Sequence, residues 1–132
     1  MDLIKIKPDK ERAKSLMGLA ILRHSKISSF DMEKENSLAC ESYYEVIKEL
    51  ITSLLFVDGY KTLSHKDLVE YLKINYNKDF SENDISSIDT LRKRRNNIVY
   101  YGIFVDAEYL KRNKDSFEKI ISKLKQIIGK KL

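Results

Sequence analysis

The chain has 132 residues, of which 42% are hydrophobic and 34% charged, with a formal net charge of +5 and an isoelectric point near 9.2. This composition suits one globular domain, residues 1–132, and excludes a disordered chain. One proline and four glycines favour long helices over many short strands. No apolar run approaches the roughly 18 residues that a membrane span needs, so we expect none.

Cysteine and histidine content limits the chemistry that the chain can support. Cys40 is the only cysteine, which excludes an intrachain disulfide and fits a reducing compartment. The first ten residues, MDLIKIKPDK, lack the continuous apolar stretch of a signal peptide, so we expect a cytoplasmic protein. His24, His65 and Cys40 show no ligand spacing, so we expect neither a metal site nor a cofactor.

The first two predicted helices differ in breadth of apolar surface. The first runs from about Asp9 to Ile27, after Pro8, and LIKIK before it is the only candidate strand. The second, from about Ser37 to Asp58, carries a stripe broad enough for a central helix with neighbours on two sides, and Gly59 supplies a left-handed cap. The stripe comprises Tyr43, Tyr44, Ile47, Leu50, Ile51, Leu54, Leu55 and Val57.

Three further helices follow. The third is predicted from about His65 to Asn75, with Ser64 as its N-cap. The fourth runs from about Glu82 to Tyr101 and ends at Gly102, and the fifth runs from about Asp106 to Ile128. We therefore predict an all-α, up-and-down bundle of four to five helices joined by short loops.

The stretch LRKRRNNIVYYG near the end of the fourth helix combines a cationic run with an amide pair and a tyrosine pair. The run could form a solvated face, a nucleic-acid contact, or a site that needs one particular arginine. The apolar stripe of this helix is formed by Ile85, Ile88, Leu91 and Ile98.

Arg95 occupies the missing position of that stripe, four residues after Leu91 and three before Ile98, so its side chain points inward. A guanidinium there must reach a carboxylate, a phosphate or a solvent-filled cleft, because an unpaired buried charge is costly. Three interpretations stay open: an internal salt bridge, a stem that extends past the core edge, and a polar cluster with Asn96 and Tyr100.

The order and spacing of three segments resemble the HEPN domain family of small helical bundles, from about Asp9 to Ile128. The segments are ESYYEVIKELITSLLFVDGYK, SHKDLVEYL and LRKRRNNIVYYG. The last is similar to the family's R-N-x-x-x-H segment, with Arg95 and Asn96 in its first two places. The position of the motif histidine is occupied by Tyr100.

The resemblance implies a homodimer, or a heterodimer of two HEPN domains, in which the two fourth helices meet and their motifs share a cleft. Active members of the family are metal-independent ribonucleases that leave a 2′,3′-cyclic phosphate. Many are toxins of toxin–antitoxin pairs, and their antitoxin is a small nucleotidyltransferase. By this resemblance, the candidate catalytic residues are Arg95, Asn96 and Tyr100.

The residue at position 100, Tyr100, distinguishes a catalytic function from a binding function. A phenol with a pKa of about 10 shuttles protons poorly near neutrality, whereas imidazole titrates at about 6.5. We therefore expect a domain that binds RNA, a nucleotide or a nucleotidyltransferase partner around Arg95, with weak catalysis or none. The candidate nucleic-acid or nucleotide contacts are Arg92, Lys93, Arg94, Arg95 and Tyr101.

Two other functions are consistent with the same sequence. In the first, the chain is a metal-independent endoribonuclease toxin in which Arg95 stabilises phosphate charge, Asn96 orients the phosphate and Tyr100 donates a proton. In the second, it is a structural interaction module whose basic run is only a solvated face.

Overall fold

The computed structural model describes all 132 residues as a bundle of five α-helices with one short pair of strands. The helices are α1 (Lys10–Lys26), α2 (Asn36–Asp58), α3 (His65–Asn75), α4 (Glu82–Tyr101) and α5 (Ala107–Lys131). Strands β1 (Ile4–Lys5) and β2 (Tyr60–Lys61) pair antiparallel, with Ile4 opposite Lys61. The predicted all-α bundle is confirmed, and α5 continues three residues beyond its predicted end.

Local side-chain chemistry sets the helix ends. The Ser64 hydroxyl accepts a hydrogen bond from the third backbone N–H of α3. At the start of α4, Ser81 and Asp84 form a reciprocal capping box. Gly59 and Gly102 end α2 and α4 with φ of 93° and 64°, a left-handed conformation that favours glycine. These caps fix the bounds of α4 and therefore which of its residues face inward.

Helix α2 is the centre of the bundle and contacts each of the other four helices. Its predicted stripe is buried, except for the half-buried Val57 at its end. Two polar side chains of α2 that face α1 are also buried, and both have partners. Ser53 donates to the Ala13 carbonyl at 2.7 Å, and Glu49 accepts two hydrogen bonds from Arg23 at 3.0 and 3.1 Å.

One carboxylate joins the ends of three helices. Asp58, the last residue of α2, accepts hydrogen bonds through Oδ2 from the hydroxyls of Tyr71 and Tyr76, at 2.7 and 2.6 Å. Its Oδ1 accepts from the Lys131 ammonium at 3.1 Å. Burial, reinforced by these hydrogen bonds to Asp58, raises the pKa of both phenols well above the usual range. The contact therefore holds the end of α5 against α2 and α3.

None of the five helices has both the length and the apolar composition that crossing a lipid bilayer requires.

Candidate functional site

Arg95 lies on the inner side of α4 and is largely enclosed, with 15% of its side chain exposed. Its Nη2 donates to Glu45 Oε1 of α2 at 3.1 Å, and its Nη1 donates to Asn96 Oδ1 at 3.3 Å. Its Nε is buried and has no hydrogen-bond partner. Of the interpretations left open by the sequence, the structure contains the internal salt bridge, together with one unused donor.

Two further residues of α2, Tyr44 and Lys48, contact the ion pair between Arg95 and Glu45. The central carbon of the Arg95 guanidinium lies 5.6 Å from the centroid of the Tyr44 ring, close enough for a cation–π contact. Lys48 Nζ lies 2.7 Å from Glu45 Oε2, so the Glu45 carboxylate is held between two cations. Burial alone would raise the pKa of this carboxyl, but Lys48 and Arg95 outweigh that effect and the pKa lies below its usual value.

A histidine also lies beside the Tyr44 ring. The ring of His65, at the start of α3, is 5.9 Å from the Tyr44 ring between centroids. Burial lowers the pKa of His65, and the positive charges of Lys48 and Arg95 lower it further. The imidazole is therefore neutral near pH 7 and can accept a proton.

These side chains form what we call the Arg95 cluster, which comprises Tyr44, Glu45, Lys48, His65, Arg95 and Asn96. With His65 neutral, its two cations and one carboxylate leave one uncompensated positive charge. An anion that approached Arg95 would meet this net positive charge, and the buried Nε–H would donate to it only after the surrounding side chains moved. The chemistry of the cluster therefore suits a phosphate or a carboxylate more than a neutral ligand.

The other cations of the run have partners of their own, although the positive charge of Arg92 also reaches Tyr44 and helps to lower the pKa of His65. Arg92 donates two hydrogen bonds to Asp89 at 2.9 and 3.0 Å, and Lys93 lies 3.3 Å from the same carboxylate. Arg94 lies on the α5 side of α4, with its guanidinium carbon 4.9 Å from the centroid of Tyr109. The run therefore divides over different sides of α4, as the 100° turn per helical residue requires.

The two tyrosines at the end of α4 are largely in solvent. Tyr100 is 65% exposed and Tyr101 is 74% exposed. Tyr100 lies one helical turn beyond Asn96, on the outer edge of the Arg95 cluster rather than inside it. Tyr101 lies two turns beyond Arg94 and shares its side of α4.

The remaining candidate groups lie elsewhere. His24 Nε2 is 2.8 Å from both carboxylate oxygens of Glu118, and the Tyr43 hydroxyl donates to Glu118 at 3.1 Å, which joins α1 to α5. Cys40 is buried, and burial raises the pKa of its thiol to about 12, so the thiol is unreactive. No three His, Cys, Asp or Glu side chains converge as metal ligands.

A groove of about 670 Å³ lies apart from the Arg95 cluster. It lies between α3 and α4, and Asp89 is the only member of the ion pairs described above that lines it. Lys66, Glu70 and Lys73 of α3 face Glu82 and Asp89 of α4 along its walls, so it offers no single-sign surface. We base the candidate site on the Arg95 cluster, where charge and an unused donor converge.

Sequence reasoning identified Arg95 and Asn96 but missed the residues of α2 and α3 that surround them. Glu45 and Lys48 carry a weak signal, because they are polar residues three apart beside the apolar stripe of α2. His65 carries none, because it lies 30 residues before Arg95 in the chain.

Comparison of the chain with protein-family models, with curated proteins and with solved structures found no match.

Proposed function

We propose that this protein is a HEPN-like domain that binds a phosphate-bearing ligand, RNA or a nucleotide, at the Arg95 cluster. The observation that carries the proposal is the buried Nε of Arg95, a charged donor without a partner beside a second cation, Lys48. The Glu45 carboxylate accepts from Lys48 and from Nη2 of Arg95 but leaves Nε without an acceptor. A phosphate has enough oxygens to accept hydrogen bonds from Lys48, Nη2 and Nε together.

The proposal makes Glu45 a competitor for the ligand. In the free protein its carboxylate neutralises Arg95, and the lowered pKa keeps it ionised. A phosphate must displace this carboxylate or share the guanidinium with it. Removing the Glu45 charge should therefore strengthen phosphate binding, while removing the Arg95 charge should abolish it.

Self-association is part of the proposal. Val99 and Tyr100 form an exposed apolar edge of α4 beside the Arg95 cluster. A twofold contact along this edge would place two clusters close together, as the HEPN resemblance implies. Light scattering should then give a mass about twice the 15.5 kDa of the chain, and a stable monomer at high micromolar concentration would contradict the dimer.

The HEPN resemblance also motivates a protein partner, a small nucleotidyltransferase acting as antitoxin, and a cytoplasmic setting. The same exposed edge of α4 would be available to such a partner in place of a second copy. Copurification with a co-expressed nucleotidyltransferase, tested with Tyr100→Glu as the interface variant, would detect this pairing.

A second candidate function, metal-independent RNA cleavage, is favoured by one observation. His65 and Arg95 both lie beside the Tyr44 ring, and burial lowers the pKa of His65. A neutral imidazole is therefore present near Arg95, although Tyr100 occupies the position of the motif histidine. Such a base could take the proton of a ribose 2′-hydroxyl while Arg95 stabilises charge on the phosphorus oxygens. The 5′-oxygen would leave with a proton from solvent, giving a 2′,3′-cyclic phosphate.

The binding proposal is tested with a labelled nucleotide and a short labelled RNA against four proteins. We expect Arg95→Ala to abolish binding, Glu45→Gln to strengthen it about three- to tenfold, and Lys93→Ala, an exposed control, to leave it within about twofold. Binding that survives Arg95→Ala would overturn the proposal.

Cleavage is tested on structured RNA in the presence of EDTA. If RNA is cleaved, His65→Ala should lower the rate by about 10² or more, the usual contribution of a positioned acid–base group. If Tyr100 marks the missing base instead, Tyr100→His should raise the rate and His65→Ala should not change it. Arg95→Ala added to either active protein should remove activity, which controls for contaminating nuclease.

A further inference from the structure

The positive charge of the protein is concentrated in α5. This helix carries eight lysine or arginine side chains and three carboxylates, a formal charge of +5 that equals the net charge of the whole chain. The other helices and loops are therefore neutral in sum. The charge of α5 lies in one place rather than being spread over the surface.

Four exposed α5 cations lie along one side of the helix: Arg112, Lys119, Lys123 and, seven residues further on, Lys130. Arg112, Lys119 and Lys123 are seven and four residues apart, spacings that return to the same side of an α-helix, and they span about 16 Å of its axis. All three are exposed and none takes part in an ion pair of the chain, although the carboxylates of Glu108 and Asp115 lie within one turn of Arg112 beside this line. Lys123 Nζ donates to the Asp79 carbonyl at 2.6 Å, which places this line on the side of α5 that faces the α3–α4 loop.

The adjoining side of α4 adds cation and aromatic surface. Arg94 covers the ring of Tyr109, which lies one turn before Arg112. Tyr101 lies seven residues after Arg94, on the same side of α4, and is 74% exposed. The other α4 residues that share this side are uncharged, namely Ser87, Thr90 and Asn97.

The loop between α4 and α5 holds one more aromatic ring in solvent. Phe104 is 80% exposed, yet the next residue is anchored. The Val105 backbone N–H donates to Ser37 Oγ at 2.9 Å, and its carbonyl accepts from Asn36 Nδ2 at 2.6 Å. Two buried contacts therefore hold the loop so that the Phe104 ring does not pack into the core.

We propose that this surface, formed by Arg94, Tyr101, Phe104, Arg112, Lys119 and Lys123, binds single-stranded polynucleotide. Cations spaced along a helix follow a phosphate backbone, and exposed aromatic rings supply platforms on which unpaired bases stack. The surface, which we call the α5 track, has cations along α5 and two exposed aromatic rings at the α4–α5 loop end of the same helix pair. Uncharged Ser, Thr and Asn side chains between them suit contacts to sugar and phosphate oxygens.

Other polyanions fit the α5 track less well. A membrane surface would be expected to bind a helix that presents apolar side chains beside its lysines, and the apolar side chains of Ala107–Lys131 are directed into the bundle. An acidic protein would match the charges but would give Tyr101 and Phe104 no defined role. Aromatic rings beside unpaired cations favour bases and phosphates together.

The α5 track lies on the Arg94 side of α4 and shares no residue with the Arg95 cluster. The inference therefore does not rest on the phosphate ligand proposed for Arg95. The two surfaces could serve one RNA, with the α5 track holding the strand and the cluster contacting one phosphate, or they could act separately.

The test measures the affinity of a fluorescent, unstructured 12-nucleotide oligouridylate by anisotropy over a range of salt concentrations. We expect the double variant Lys119→Glu, Lys123→Glu to weaken binding at least about tenfold and to reduce the salt slope by about 1.4, since each lost phosphate contact on a single strand removes about 0.7. The double variant Tyr101→Ala, Phe104→Ala should weaken binding about tenfold while leaving the salt slope unchanged, because stacking releases no counterions.

A matched control keeps the same helix and the same change of net charge. Lys114→Glu, Lys125→Glu reverses two cations on the other edge of α5 and should change the affinity less than about threefold. Circular dichroism should give the same helicity for all variants, because the replaced side chains contribute little to the core.

Several outcomes would overturn the α5 track. Equal losses in the track and control variants would mean diffuse attraction by net charge. Unchanged binding in both track variants would place the polynucleotide elsewhere, and so would its loss in Arg95→Ala alone. Binding to anionic lipid vesicles without binding to the oligonucleotide would assign the surface to a membrane. If Arg95→Ala leaves oligonucleotide binding intact and the track variants lose it, the α5 track stands even if the phosphate proposal for Arg95 fails.

Discussion

Arg95 of α4 and Glu45 of α2 form an ion pair of 3.1 Å between helices, and their side chains are only 15% and 16% exposed. The pair places a charged residue at a position of α4 where the apolar stripe predicts a hydrophobic one. Because desolvation opposes burial of both charges, such a pair gives little net stability over a well-packed apolar substitute. Net stability is therefore a weak explanation for this pair.

Breaking the pair from one side should be costly. Glu45→Ala leaves the Arg95 guanidinium enclosed with only Asn96 as a polar partner, and we expect a loss of about 3 kcal/mol in the free energy of unfolding. Replacing both residues, as in Glu45→Gln with Arg95→Met, should cost less than the sum of the single changes. Urea unfolding of the single and double variants measures this coupling, and strictly additive losses would show that the two side chains do not interact.

The exposed pair between Lys93 and Asp89 is the matched comparison. Its lysine is mostly in solvent, so Lys93→Ala should change the free energy of unfolding by less than about 0.5 kcal/mol. A larger effect would mean that Lys93 has a partner beyond Asp89.

The free energy of unfolding should fall as the pH is lowered through the range between the unfolded-state and folded-state pKa of His65. Its pKa is lowered in the folded state, so the unfolded chain takes up the proton first as the pH drops below about 6.5. The free energy of unfolding should be unaffected above that pH and should decline until the folded-state pKa is passed. Thermal melting between pH 5 and pH 7.5, where His65→Gln should flatten the curve, measures this effect.

His24→Gln is the second variant for that experiment. Its ring contacts Glu118, away from the Arg95 cluster. If His65→Gln leaves the curve unchanged, the acid sensitivity does not come from the Arg95 cluster.

The two left-handed glycines should respond differently to alanine. Both substitutions incur the strain of a positive φ, about 1 kcal/mol. A Cβ at Gly59 would also lie 3.1 Å from the Ile6 carbonyl oxygen and 3.3 Å from Pro8 Cγ, whereas one at Gly102 would meet open space. We expect Gly59→Ala to lower the melting temperature clearly more than Gly102→Ala, and equal shifts would contradict the close approach of the N-terminal segment to Gly59.

The carboxylate of Asp58 should be needed to hold the end of α5. Asp58→Ala leaves the hydroxyls of Tyr71 and Tyr76 without their acceptor and frees Lys131. Each unsatisfied polar group costs about 1–3 kcal/mol. Hydrogen exchange should become faster in the last turns of α5 than in its first turns, and uniform protection along α5 would argue against this role for Asp58.

The sequence by itself determined the helices and the inward position of Arg95. Caps at Ser64, Ser81, Gly59 and Gly102 are local signals, because each acts on backbone groups within one turn. Helical periodicity likewise separates Arg95 from Arg94 without knowledge of any other helix. For this reason the predicted bounds of α3 and α4 agree with the structure residue by residue.

Only the tertiary structure decided what Arg95 meets. Periodicity reports which side of a helix turns inward, but it does not report which helix lies opposite or in what register. Glu45 and His65 lie 50 and 30 residues before Arg95 in the chain. Glu45 meets Arg95, and His65 meets the Tyr44 ring, only because α2, α3 and α4 pack against one another. Helical periodicity places Arg94 and Arg95 on different sides of α4, and the packing decides that Arg95 meets Glu45 of α2 while Arg94 meets Tyr109 of α5.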